Sequence, residues 1–302
     1  MAEIDFPQKR RELQHRLVDS TIWNEVAFRD DDIVVATYGK SGTTWIQQIV
    51  AQLIFDGAED LDMPKLSFWL DARLTPRAEK LAQIAAQRHR RFIKTHLPVD
   101  ALVYSPKAKY IYIGRDGRDV VWSLYNHLVS TTDEFISAAN TGADDNSPPF
   151  DRPSGSVRDF YFQWLERSGQ PLWPFWENIR SWWAVRQVPN LLLVHFADLK
   201  ADLEGQIRRI ADFLEIEIAE PRWPVIVEHC GFDYMKANAE KCAPANGASW
   251  KGGAKTFIHK GINARWRDVL TPEDCSFYEK LARRELGEEC ANWLERGSLA
   301  AL

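Results

Sequence analysis

Cysteine is scarce in this sequence: the 302 residues include four, at Cys230, Cys242, Cys275 and Cys290. They form no Cys-x-x-Cys pair, and no histidine lies at metal-ligand spacing from them. This pattern is not that of a disulfide-rich secreted domain or of a zinc site. We therefore expect reduced thiols in a cytoplasmic protein, and no bound metal.

Long apolar runs and an excess of positive charge are also missing. No stretch approaches the ~18 residues that cross a bilayer, and the opening residues, MAEID, lack the basic and then hydrophobic start of a signal sequence. Thirty-eight Lys and Arg against 43 Asp and Glu give a formal net charge of −5. The overall field therefore favours neither nucleic acid nor a membrane as a partner, and any anion must be held by a local site.

Four runs of β-branched and aromatic residues without polar alternation predict strands that are buried on both faces, at 33–38, 92–96, 110–114 and 191–196. Amphipathic helical patterns separate or follow them, among them one after Gly42 and one after Thr271. The alternation predicts an α/β fold: a single P-loop-like domain over 1–302, with a central parallel sheet flanked by helices on both faces. Two segments rich in small and polar residues, 140–156 and 236–254, are expected to be mobile lids.

The turn after the first predicted strand has the composition of an anion site. Residues 37–45, TYGKSGTTW, lead from a buried strand into an amphipathic helix, where free N–H groups and the positive end of the helix dipole converge. Lys40 adds an ammonium, and Ser41 and Thr43 add hydroxyls. A Walker A loop would need its first glycine where Val34 stands inside the strand, so a nucleoside triphosphate is disfavoured.

The string at 37–45 resembles the 5′-phosphosulfate loop of the cytosolic sulfotransferase family, and the chain is identified as a bacterial-type member of that family. Gly39 stands where the family usually has proline. Three further segments follow in family order: KTH at 94–96, RDGRDVVWS at 115–123 and FIHKG at 257–261. The resemblance covers roughly residues 30–270. It implies 3′-phosphoadenosine 5′-phosphosulfate (PAPS) as the donor co-substrate, 3′-phosphoadenosine 5′-phosphate (PAP) as its product, and no metal.

The resemblance also implies a role for each matching position. The predicted catalytic residues are Lys40, Lys94, Ser123 and His96, with His96 taking the proton of the acceptor. Strand alternation independently places Lys94 and His96 on one face. The predicted donor-binding residues are Lys40, Ser41, Gly42, Thr43, Thr44, Trp45, Arg115, Ser123, Cys230, Phe232, His259, Lys260 and Gly261. Cys230 replaces a usual threonine, Phe196 a tyrosine and His259 an arginine, so one permanent charge on the 3′-phosphate is missing at position 259.

The acceptor is expected to be a small molecule that offers a hydroxyl or an amine. Phe68, Trp69 and His127 are predicted to face it in an aromatic-lined cleft, although core packing explains each of them equally well. Two rival functions stay open at this point. A P-loop kinase would require magnesium and bind ATP, and a nucleotide-binding regulator would have lost catalysis. The joint survival of Lys40, Lys94, His96 and Ser123 favours an enzyme.

Overall fold

The computed structural model of the protein describes residues 5–141 and 149–298, which fold around a four-stranded parallel sheet. The strands in these ranges are β1 (Gln14–His15), β2 (Val18–Asp19), β3 (Ile33–Thr37), β4 (Phe92–Thr95), β5 (Lys109–Gly114) and β6 (Leu191–His195). The large sheet has the order β4-β3-β5-β6, and β1 and β2 form a separate antiparallel pair. The four predicted strands are confirmed to within one residue at either end, and so is the α/β class.

Helices connect and surround the strands. The α-helices are α1 (Thr43–Ile54), α2 (Met63–Leu66), α3 (Arg77–Ala86), α4 (Gly117–Val129), α5 (Asp133–Asn140), α6 (Val157–Glu166), α7 (Phe175–Ala184), α8 (Phe196–Ala201), α9 (Leu203–Leu214), α10 (Trp223–Cys230), α11 (Phe232–Ala237), α12 (Ala239–Cys242), α13 (Ala254–Phe257), α14 (Pro272–Leu286) and α15 (Glu288–Arg296). Short 3-10 turns span Ser20–Glu25, Val99–Ala101, Glu220–Arg222, Pro244–Gly247 and Arg265–Asp268. The predicted helix start at Thr271 is confirmed, because its side chain and that of Asp274 form a capping box. Between 5 and 298, outside the gap at 142–148, no helix is long and apolar enough to cross a membrane.

Both faces of the large sheet are buried, as the apolar runs without alternation predict. In β3, Val34 and Ala36 belong to the apolar cluster on one face, whereas Ile33 and Val35 belong to the cluster on the other. The neighbouring strand β5 divides in the same way, with its tyrosines on the first side and its isoleucines on the second. The sheet is therefore a rigid central layer from which side chains at the strand ends can be positioned.

The carboxyl ends of the strands define the working edge of the fold. The strands pair in parallel, with Val35 of β3 opposite Lys94 of β4 and Thr37 of β3 opposite Ile113 of β5. The helices α1 and α4 start at this edge, directly after β3 and β5. The predicted motif segments 37–45, 94–96 and 115–123 therefore lie there. Ligands of open α/β sheets bind at such an edge.

The two predicted lids have different outcomes. Residues 236–254 are mostly short helical turns rather than an irregular loop, because their alanines favour helix and pack into an apolar cluster with Met235 and Ile258. In the other segment, residues 142–148 lie outside the described residues. Its described ends are held together, since the Asn140 side chain forms two hydrogen bonds of 2.8 Å with the backbone of Phe150.

Candidate active site

A cavity of about 710 Å³ opens at the carboxyl edge of the sheet. It brings together most of the predicted site residues. Its lining includes Lys40, Gly42, Thr43, Thr44, Trp45, Phe68, Trp69, Lys94, His96, Arg115, Ser123, His127, Phe232, His259, Lys260 and Gly261. The side chains of Ser41 and Cys230 are buried outside this lining. Cys230 lies in the apolar core, where burial raises the pKa of its thiol, and it contacts the site through its carbonyl, which accepts a 2.8 Å hydrogen bond from Trp45 Nε1.

The loop between β3 and α1 is shaped to hold an anion. Lys40 and Gly42 both have left-handed backbone conformations, with φ of 69° and 113°. A Cβ on Gly42 would approach Ile113 Cδ1 and Phe196 Cδ2 to 2.9 Å, so only glycine fits. The first N–H groups of α1, those of Thr43 and Thr44, follow immediately and have no partner within their helix, whereas the Trp45 N–H donates to the Gly42 carbonyl at 3.0 Å. Ser41 Oγ is buried outside the cavity lining and lacks a hydrogen-bond partner among the described residues.

Lys40 extends from this loop into the cavity. Its Nζ lies 3.0 Å from His127 Nδ1 and 4.4 Å from the centre of the Phe257 ring. Burial and the charges of Lys94 and Arg115 lower the pKa of Lys40 to about 7. Burial and the charges of Lys40 and Lys94 hold the pKa of His127 well below its usual 6.5, so its neutral Nδ1 accepts a hydrogen bond from the Lys40 ammonium. Lys40 is thus a cation with few competing partners beside the phosphate loop.

His96 is held by the backbone of β3. Its Nδ1 lies 2.8 Å from the carbonyl oxygen of Thr37 and 3.0 Å from Thr37 Oγ1. Because a carbonyl oxygen only accepts, Nδ1 must carry the proton, and Nε2 is left with its lone pair. The ring is 6% exposed and packs between Trp69 and Trp173. Burial and the cations Lys94 and Lys40 hold the pKa of His96 well below 6.5, so the imidazole is neutral at physiological pH.

Lys94 lies in β4, which ends at Thr95 directly before His96, and both side chains contact Trp69 on one face, as alternation predicts. Its Nζ lies 5.4 Å from the Trp69 ring centre. Burial lowers the pKa of Lys94 to about 8, and the negative charge of Asp71 works in the opposite direction. Two ammonium groups and a neutral imidazole therefore line one cavity, which combines charge stabilisation with a proton acceptor.

Arg115 lies at the end of β5 over the ring of Phe196, with its guanidinium carbon 4.0 Å from the ring centre. It donates to the Lys40 carbonyl at 3.1 Å and, through Nε and Nη2, to Asn263 Oδ1 at 3.2 and 2.8 Å. Three of its five N–H groups are used in this way, so two are left for a ligand. Its neighbour Asp116 pairs with Arg118 instead, at 2.7 Å. Arg115 is therefore not consumed by a structural ion pair.

Residues 257–262 form one wall of the cavity. The Asp119 carboxylate accepts the N–H of Ala264 at 2.7 Å, which fixes this segment to α4. Gly261, with φ of 60°, approaches Phe232 so closely that a Cβ would come within 2.5 Å of the ring. The His259 residue is exposed overall, but its ring is partly covered. This partial burial and the nearby cations Arg265, Lys260 and Lys236 lower the pKa of His259.

Several residues of the site were not predicted from the sequence. Asn263, Asp119, Trp173 and Arg265 all contact predicted site residues or line the cavity. No local motif distinguishes them, because each meets its partner only after the chain has folded. Ser123 is half-buried and lines the cavity from α4, eight residues or about two helical turns after Arg115, as the motif predicts.

Comparison with known proteins agrees with this geometry. Residues 30–289 match the sulfotransferase domain family. A glycolipid sulfotransferase of Mycobacterium bovis is 30% identical over 289 residues, with 88% of both chains covered. A retinol dehydratase solved with androsterone and inactive cofactor PAP is 25% identical at a TM-score of 0.69, covering 89% of this chain and 84% of its own. A mouse sulfotransferase complexed with PAP, at 19% identity and a TM-score of 0.69, covers 91% of this chain and 90% of its own and supports the fold alone.

The fold and the cavity together therefore define an enzyme of the group-transfer class. The chain belongs to the sulfotransferase family. The predictions of this family and of a sulfotransferase enzyme are confirmed, and the rival assignment to a P-loop kinase receives no support from the comparisons.

Proposed function

We propose that this sulfotransferase moves the sulfonate group of PAPS to a hydroxyl or amine of a small-molecule acceptor, with His96 as the general base. The observation that carries the proposal is the fixed tautomer of His96. Its Nδ1–H is held by the Thr37 carbonyl at 2.8 Å, which leaves a neutral Nε2 in a cavity that two lysines share.

The donor-side residues fit a nucleotide with phosphates on both sides of its ribose. The left-handed turns at Lys40 and Gly42, with Thr43 and Thr44 beside them in the cavity lining, suit the 5′-phosphosulfate. The two remaining N–H groups of Arg115 suit the 3′-phosphate. Trp45 and Phe232 present aromatic rings to the same cavity, where an adenine base would stack. PAP was present in the solved retinol dehydratase structure, which supports the same donor here.

When bound, PAPS supplies the sulfonate and a phosphate leaving group of low basicity. The chain's own residues do the rest. His96 Nε2 accepts the proton of the acceptor nucleophile, and the Thr37 carbonyl stabilises the resulting imidazolium through Nδ1–H. Lys40 and Lys94 provide positive charge where negative charge grows during the transfer. The half-buried ring of Trp69 and the buried ring of Trp173 flank His96 and limit its contact with water.

The acceptor side of the cavity is apolar and aromatic. Phe68, Trp69 and His127 line it, together with Leu172 and Trp173. A small molecule with an apolar or aromatic body and one nucleophilic group fits such a lining. The name of the mycobacterial relative, a glycolipid sulfotransferase, extends the range to be tested to glycolipids.

All four cysteines are free thiols, which supports the proposal of a cytoplasmic enzyme.

The test is transfer from PAPS to a mixed library of phenols, alcohols, amines and glycolipids, in the presence of a chelator, with mass detection of sulfated products. We expect sulfated product without added metal and none from ATP. His96→Ala should abolish this transfer. His89→Ala, at a histidine outside the cavity lining, is the matched control. A product that is phosphorylated, or activity that requires magnesium, would contradict the proposal.

A further inference from the structure

One charge of the donor site is unaccounted for. His259 stands where the family usually has arginine, and a neutral imidazole does not replace a permanent charge on a phosphate. The neighbouring cations Arg265, Lys260 and Lys236 and partial burial lower the pKa of His259, so it is mostly neutral at neutral pH. If a second permanent charge holds the 3′-phosphate beside Arg115, it comes from Lys260 or Arg265, the cations of residues 257–265 that line the cavity.

Arg265 lies in the right place. Its Nη1 is 3.5 Å from His259 Nδ1, and its side chain lines the cavity with Lys260 and Gly261. The backbone directs it there, because Ala264 has a left-handed conformation with φ of 64° and its N–H is fixed by Asp119. Its one described contact is with a neutral ring rather than a carboxylate, so its charge is not neutralised by an ion pair.

Of the other cations near this segment, Lys260 also lines the cavity, whereas Lys236 and Arg267 do not. The Lys236 ammonium donates to three backbone carbonyls, those of Lys255, Ile258 and His259, which uses all three of its protons. Arg267 is exposed, stacks on Trp266 at 5.3 Å and does not line the cavity. Lys236 therefore shapes the segment, whereas Arg265 is available to a ligand.

We propose that Arg265 binds the 3′-phosphate of the donor in place of the arginine that is absent at position 259. This inference rests on the proposed function, since it assumes a 3′-phosphorylated nucleotide. It assigns a binding residue that the sequence motif does not contain. A guanidinium with four or more free N–H groups can form two parallel bonds to a phosphate, beside the two that Arg115 has left.

The experiment is calorimetric titration of the full chain with PAP and with 5′-AMP. Arg265→Ala should weaken PAP binding roughly 10- to 100-fold, the value of a charge-assisted contact, and change AMP binding less than about threefold. Arg267→Ala is the matched control and should leave both affinities unchanged. His259→Arg in the Arg265→Ala background should restore most of the lost PAP affinity. Arg265→Lys, which retains a charge, should lose less than Arg265→Ala and guards against a folding defect.

The outcomes separate this inference from the proposed donor. If the wild-type protein binds PAP no better than AMP, the proposed donor is wrong and the inference fails with it. If the wild type prefers PAP and Arg265→Ala keeps that preference, the donor stands and the role of Arg265 is refuted. Equal losses for PAP and AMP in a folded Arg265→Ala variant would likewise refute it.

Discussion

The two lysines of the cavity make a specific prediction about pH. In the proposed mechanism Lys40 and Lys94 act as cations, yet burial lowers their pKa values to about 7 and about 8. Their charge is present below these values and is lost as the pH rises through them. His96 behaves in the opposite way, since its low pKa keeps it neutral, and hence basic, throughout this range. The loss of activity at alkaline pH should therefore come from deprotonation of Lys40 and Lys94 rather than from a change in His96.

The size of the effect follows from the two pKa values. If the lysines titrate independently, the fraction of free enzyme with both charged falls roughly 500-fold between pH 7 and pH 9. The quantity to measure is kcat/KM for the donor at saturating acceptor, because it reports the free enzyme. Over this interval the donor phosphate is already dianionic, with a second pKa of about 6. The alkaline loss should therefore come from the protein.

Lys40→Arg separates the two lysines. A guanidinium stays charged at every pH used, so the inflection near pH 7 should disappear and a single one near pH 8 should remain. Lys107→Arg, on the surface beside Asp30, is the control and should leave the profile unchanged. A wild-type profile that is flat from pH 7 to pH 9, or a Lys40→Arg profile with both inflections, would refute the assignment of Lys40 as a charged participant.

Three further predictions concern stability and positioning. Gly42→Ala should lower the free energy of unfolding in urea by about 1–3 kcal/mol, and more than Gly253→Ala, whose added Cβ would meet no atom within 4 Å; equal losses would contradict the close approach to Phe196. Arg118→Met should cost about 3–5 kcal/mol by the same measurement, because it leaves Asp116 charged and buried; a loss below about 1 kcal/mol would show that this pair is not structural. Thr37→Val removes the hydroxyl near His96 but keeps the anchoring carbonyl, so kcat should fall less than about tenfold; a loss as large as that of a His96 variant would mean that the hydroxyl, not the carbonyl, holds the ring.

The sequence predicts the sheet and the motif positions well for a physical reason. Each motif is local, and each lies at or just beyond a strand that apolar runs identify directly. Parallel pairing then brings the ends of β3, β4 and β5 to one edge, so Lys40, His96 and Arg115 meet without further information. The turn between β3 and α1 is also predicted, because small residues separate an apolar strand from an amphipathic helix; the left-handed conformation of Gly42 within it is a finding of the structure.

Contacts between distant segments are not predictable in this way. Arg115 and Asn263 are 148 positions apart, and Lys40 and His127 are 87 apart, so neither contact leaves a local signal. The alanines of 236–254 show a related failure. The small residues of this segment predict an irregular mobile lid. In the fold, Ala239, Ala243 and Ala254 instead pack into an apolar cluster from short helical turns. Tertiary packing decides such cases.

The proposed mechanism depends most on His96 as the general base, and the variant His96→Asn tests this role most directly. The asparagine amide can still donate to the Thr37 carbonyl but cannot take a proton, so binding and catalysis are separated. In single-turnover assays with PAPS already bound, we expect His96→Asn to transfer the sulfonate roughly 10²- to 10⁴-fold more slowly than wild type. Its calorimetric affinity for PAP should be unchanged. A His96→Asn variant that transfers the sulfonate at the wild-type rate would contradict this role.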